Sequence, residues 1–198
     1  DMNPTVSSEY LKKLTEEICR KCVFYVIPVM EPTGTERGWI RFNGNGYDVN
    51  RRWNEVDLTS ENSRALRPEC WYVKRKILEL NAENPITLLV NLHNDTVTDY
   101  MDAVGTETYH DAFWNFERAL TATGVYDPLP KKPCKIIPSV DSEVPTTFSL
   151  WWDDGIPMVM IEQKVSKNRT LNSFPSVTDS QTRGAWLAVL IEKFFGKF

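Results

Sequence analysis

The sequence predicts an α/β fold with a mixed, largely parallel central sheet flanked by helices. Three observations predict it. Short apolar runs at Cys22–Met30, Ile86–Leu92 and Met158–Gln163 read as buried strands, being continuous and rich in β-branched residues. Amphipathic segments at helical spacing lie before, between and after them. The 198 residues, 41% of them hydrophobic, can bury a sizeable core, so one domain over 1–198 is expected.

Residues 7–20 place Leu11, Leu14 and Ile18 on one face of a helix. Cys22–Met30 follows as the first strand, and Thr33–Val56 as a long loop of the kind that tends to be functional. Pro68 starts a helix near Glu69, with Val73, Ile77 and Leu80 on its buried side, and Asn84-Pro85 ends it. Ile86–Leu92 then delivers His93 at its carboxyl end. Tyr109, Phe113, Phe116 and Leu120 mark the next helix, ended by Gly124. Pro128–Pro133 is a connection, Lys135–Pro138 a short strand, and Phe148–Asp154 a surface-lining loop or edge. Met158–Gln163 carries Glu162 at its end. Thr178 and Gln181 suggest a capping box for a last helix that buries Trp186, Val189, Leu190 and Phe194.

A net charge of −4 and a pI near 5.3 argue against nucleic acid, whose phosphates call for a basic face. The longest apolar runs are too short to span a bilayer. Cys19, Cys22, Cys70 and Cys134 are too few for a disulfide scaffold. The Cys19-Arg20-Lys21-Cys22 spacing has no second pair, so it reads as two semi-buried thiols. Asn94-Asp95-Thr96 and Asn168-Arg169-Thr170 match the glycosylation pattern. The sequence begins at Asp1 rather than Met, which suggests an upstream segment removed or not included.

The chemistry concentrates in Arg41-Phe42-Asn43-Gly44-Asn45-Gly46-Tyr47-Asp48-Val49-Asn50-Arg51-Arg52-Trp53. Glycines and asparagines favour a tight loop, and a guanidinium beside a carboxamide suits a ligand carboxylate. The plainer reading is a solvated turn. Glu162, against Met160 and Ile161, has the setting of a carboxylate with raised proton affinity, suited to general-base work. His93 reads as a metal ligand or as a histidine hydrogen-bonded at a strand end. His110, in the first turn of a helix without a ligand-spaced partner, reads as surface or capping.

Taken in order, Pro28…Gly34, Arg41-x-Asn43…Asn50-Arg51, His93 and Glu162 resemble the zinc carboxypeptidases of the carboxypeptidase A type, over most of residues 22–195. The resemblance implies a three-layer sandwich and zinc as cofactor. It implies a peptide substrate with a free C-terminal carboxylate, and a secreted or periplasmic setting. It makes His93 the third zinc ligand and Glu162 the catalytic base. Asn50 and Arg51 would grip the terminal carboxylate, and Arg41 would stabilise the oxyanion. There are departures. Glu31 and Thr33 stand where the family has Asn and Asp, and no tyrosine lies near Val140 or Asp141. Thr147 or Phe148 at the specificity position argues against an acidic pocket. The family's first two ligands come from an earlier His-x-x-Glu, and no histidine precedes His93. The expectation is therefore the C-terminal two-thirds of such a domain, with the missing segment supplied by the intact protein. The rivals are a zinc deacylase of N-acyl amino acids and a metal-free module that binds carboxylates.

Overall fold

The computed structural model describes residues 8–39, 41–129, 134–137, 147–169 and 172–198. Positions 140 and 141, most of the Pro128–Pro133 connection and Thr170 lie outside these residues. In chain order the elements are α1 (Ser8–Ile18), α2 (Pro32–Glu36), a 3-10 turn (Trp53–Glu55), α3 (Glu61–Leu66), α4 (Pro68–Glu83), β1 (Leu89–Asp95), β2 (Tyr100–Val104), α5 (Glu107–Ala122), β3 (Lys135–Ile136), α6 (Ser149–Asp154), β4 (Met158–Lys164) and α7 (Val177–Phe195). They belong to two compact units. The first takes the chain up to Phe24, Thr87–Ile137 and Pro157–Phe198; the second takes Tyr25–Ile86 and Pro138–Ile156.

The first unit holds the sheet, in the order β1-β4-β2-β3. β1 with β4 and β2 with β3 are parallel, and β2 with β4 is antiparallel, so the sheet is mixed and largely parallel. Strand alternation turns Met101 and Ala103 of β2 and Val159 and Ile161 of β4 to one face. There they join a core with Phe113, Phe116 and Leu120 of α5 and Trp186, Leu187, Leu190 and Phe195 of α7. Each fully buried Phe or Leu in such a core contributes about 1.5–3 kcal/mol. α7 starts at a capping box in which the Ser176 hydroxyl accepts from the Asp179 amide and the Asp179 carboxylate accepts from the Ser176 amide. This box lies two residues before the Thr178–Gln181 pair that the sequence suggested.

A buried polar network closes the end of β4. Asp99 Oδ1 accepts from the Lys164 amide at 2.6 Å, and Asp99 Oδ2 accepts from the Asp127 amide. Arg183 Nη1 lies 3.6 Å from Asp99 Oδ1, and Arg183 also donates to the Val125 carbonyl. Asp127 in turn pairs with Lys164 at 3.4 Å and with Arg169 at 2.9 Å. Burial raises the Asp127 carboxyl's proton affinity, but the Arg169 hydrogen bonds and charge, with Lys164, outweigh it and hold the pKa below the ordinary carboxylate value.

Several elements differ from expectation. Cys22–Met30 is irregular, not a strand, with Val23 79% and Val26 76% exposed. An apolar run becomes a strand only where a neighbour takes up its amides and carbonyls, and no described strand pairs with this one. β1 starts three residues later than the apolar run that predicts it and continues past His93, which therefore lies inside the ladder. β2 was not anticipated. The expected loop Thr33–Val56 contains most of α2, and the expected edge Phe148–Asp154 is α6. Cys19 is exposed and Cys22 half-buried; all four cysteines are thiols. No helix among the described residues is long and apolar enough to cross a membrane.

Candidate active site

Glu162 sits on β4 with a strand on each side. The register pairs it with His93 of β1 and with Tyr100 of β2. Because Ile161 and Met101 face the helical core, this row of three lies on the opposite face of the sheet. His93 Nδ1 is 3.8 Å from Glu162 Oε1, and the Tyr100 hydroxyl is hydrogen-bonded to Glu162. Glu162 is buried, whereas His93 and Tyr100 are half-buried. Burial first, then the charges of Glu162, Asp102 and Asp95, push the Tyr100 pKa up to about 12. At neutral pH its hydroxyl is therefore protonated and donates to Glu162. Tyr100 is the member of this row that sequence reading missed. Its signal was the alternation of polar Tyr100 and Asp102 with apolar Met101 and Ala103.

The arginine loop belongs to the second unit, and buried side chains fix its shape. Phe42 and Asp48 form an antiparallel bridge around the turn, in which the Gly46 amide donates to the Asn43 carbonyl and Gly46 takes a φ of 79°. Asn43, 1% exposed, organises that turn. Its Oδ1 accepts from the Asn45 and Tyr47 amides, each at 3.0 Å. Its Nδ2 donates to the Leu66 carbonyl at 3.1 Å and to Glu69 at 2.9 Å. The second half of the loop hangs on α4 and the residue before it. Arg67 donates to the carbonyls of Arg51 and Arg52, Cys70 to that of Val49, and Lys74 to those of Trp53 and Val56. Burial pushes the Cys70 pKa up to about 11, so the thiol stays a neutral donor.

The functional candidates on this loop gather around Asp48. Arg41 pairs with Asp48 at 2.9 Å, the Asn50 amide donates to Asp48 at 2.8 Å, and Arg51 Nη1 donates to the Asn50 carbonyl at 2.9 Å. Arg41 and Arg52 hold φ values of 76° and 55°, in the left-handed region that side chains other than glycine adopt at a cost of about 1–3 kcal/mol. Arg52 is solvated, as the sequence suggested, and pairs with Glu55 at 3.7 Å. Glu31, one of the departures from the family pattern, caps α2 by accepting from the Gly34 amide. A Cβ at Gly34 would lie 2.6 Å from the Phe42 carbonyl oxygen, so this approach to the loop requires glycine. Asn43→Ala should lower stability by about 1–3 kcal/mol, because Glu69 and two amides lose their partner. Urea unfolding measures it, and an unchanged midpoint would show that Asn43 does not organise the turn.

A catalytic zinc site takes about three protein ligands. Among the described residues no group of three or more His, Cys, Asp and Glu side chains is placed to hold a metal ion. His93 and Glu162 offer one imidazole and one carboxylate. The described residues therefore do not by themselves make a zinc site.

No family model and no curated protein matches the sequence. Solved structures match its fold. A metallo-carboxypeptidase from Burkholderia cenocepacia superposes with a TM-score of 0.68 at 19% identity, over 96% of this chain and 52% of that one. A metallo-carboxypeptidase from Pseudomonas aeruginosa, in complex with (2-guanidinoethylmercapto)succinic acid, gives 0.66 at 18% identity, over 92% and 52%. The chain thus has the zinc carboxypeptidase-like fold. It spans about half the length of the structures it matches.

Proposed function

We propose that this chain works as a carboxypeptidase-like hydrolase on peptides that end in a free carboxylate. The observation that carries the proposal is the facing of His93 and Glu162, 3.8 Å apart on adjacent strands of a sheet with the metallocarboxypeptidase fold. In this reading Arg51 and Asn50 hold the substrate's terminal carboxylate on a loop made rigid by Asn43, Arg67 and Lys74. Glu162 takes a proton from the water that adds to the scissile carbonyl and passes it to the leaving amine. Arg41 offsets the charge that develops on the carbonyl oxygen. His93 stands as a metal ligand, and zinc is the cofactor only with further ligands from outside the described residues.

The test compares an N-acyl dipeptide with its C-terminal amide. Arg51→Ala should weaken binding of the acid by about 2–5 kcal/mol, by removing the partner of a desolvated charge, and leave the amide unchanged. Equal loss on both ligands would remove Arg51 from carboxylate binding. A second reading, a carboxylate-binding module without turnover, uses the same loop, in which Arg51 and Asn50 stand together on a turn held by Asn43 and Arg67. Acid-selective binding with no hydrolysis at any zinc concentration would select it.

A further inference from the structure

We propose that Tyr100 is a positioning residue for Glu162, its hydroxyl fixing the carboxylate in the orientation that faces His93. The kinetic consequence rests on the hydrolase reading; the geometry does not. Directly opposed cross-strand residues lie close enough for side chains to touch, and the register sets both Tyr100 and His93 opposite Glu162. A glutamate side chain has three rotatable bonds, and supporting hydrogen bonds help to lock one rotamer. The β1 side supplies an imidazole at 3.8 Å, and the β2 side supplies a phenol hydroxyl. The Tyr100 ring lies on the face away from the core formed by Met101 and Ala103, and it is only half-buried. From that face its hydroxyl can reach the Glu162 carboxylate. The two anchors stand on the strands either side of β4 in one sheet, so their separation is fixed by the sheet.

Tyr100→Phe keeps the ring and removes the hydroxyl. With Glu side chains isotopically labelled and the Glu162 signals assigned by their loss in Glu162→Gln, the rotamer couplings of Glu162 should report one conformer in the native chain. They should report averaging among conformers in Tyr100→Phe. In the unmodified protein, a through-space cross-peak should connect the Tyr100 ring protons beside the hydroxyl with the Glu162 side-chain methylenes. On a free-carboxylate dipeptide, kcat should fall about tenfold with KM unchanged, since orientation and not binding is lost. Couplings that stay the same in Tyr100→Phe, or a missing cross-peak in the native chain, would overturn the proposal. So would a raised KM with kcat intact. If no form of the protein hydrolyses peptides, the hydrolase reading fails, and the couplings and cross-peak still decide the role of Tyr100.

Discussion

Asp99→Ala should lower the unfolding free energy by about 3–5 kcal/mol, the largest stability loss we expect from one substitution. Asp99 is wholly buried. Its two oxygens accept from the Lys164 and Asp127 amides, and Arg183, 6% exposed, lies beside it. Burial raises its pKa above the ordinary carboxylate value, while the two amides and Arg183 act in the opposite direction. Removing the carboxylate leaves two buried amides without an acceptor and a guanidinium without its counter-charge. Arg183 keeps only its bonds to the Val125 carbonyl. Asp99→Asn retains one acceptor oxygen and should lose less. Urea unfolding followed by circular dichroism measures both variants. A loss under about 1 kcal/mol for Asp99→Ala would mean that water enters and satisfies the network.

Under the proposed function, Glu162→Gln should reduce peptide hydrolysis by about 10²–10⁴-fold, the usual contribution of a positioned general base. The amide has the same shape and still accepts from the Tyr100 hydroxyl, so the sheet should be undisturbed. What it loses is the ability to take a proton. Affinity for a free-carboxylate ligand should remain, because that affinity is assigned to Arg51 and Asn50. Initial rates and calorimetric titration separate the two effects. Native-like turnover in the variant would remove Glu162 from the chemistry.

The long helices α1, α4, α5 and α7, with β4, were legible because their periodicity is strong, whereas α2, α3 and α6 have too few turns to show one. Phe113, Phe116 and Leu120 recur on one face of α5, and Met158–Ile161 is an apolar run short enough to be a strand. Apolar content misled at Cys22–Met30, where the backbone hydrogen bonds that make a strand depend on a neighbour that sequence does not reveal. It misled in the other direction at β2. There Tyr100 and Asp102 interrupt the apolar residues, since one face of that strand is polar. The same error hid Tyr100 from the candidate site. His93 and Glu162 were both singled out, but their pairing across two parallel strands is a matter of register, visible only in the fold. The carboxamide of Asn43 was read with the ligand loop as a whole. Its burial under α3 and α4 shows that it shapes the turn through Leu66 and Glu69.

The strand order has a consequence for how the chain assembles. β1 and β2 are consecutive in sequence and separated by only four residues, yet they are not neighbours: β4 lies between them. The short link cannot close as a hairpin, and the gap it spans stays empty until a segment encoded far downstream arrives. Leu89 waits for Met158, and Tyr100 waits for Glu162. Every pairing across β4 is thus of long sequence separation, so loop-closure entropy must be met before any of it gains stability. On the ribosome, β1 and β2 emerge with two unsatisfied inner edges and acquire a partner only when residues 158–164 have left the exit tunnel. We therefore expect this sheet to form late and slowly, and the interval before it to be when the chain is most open to pairing with the wrong strand.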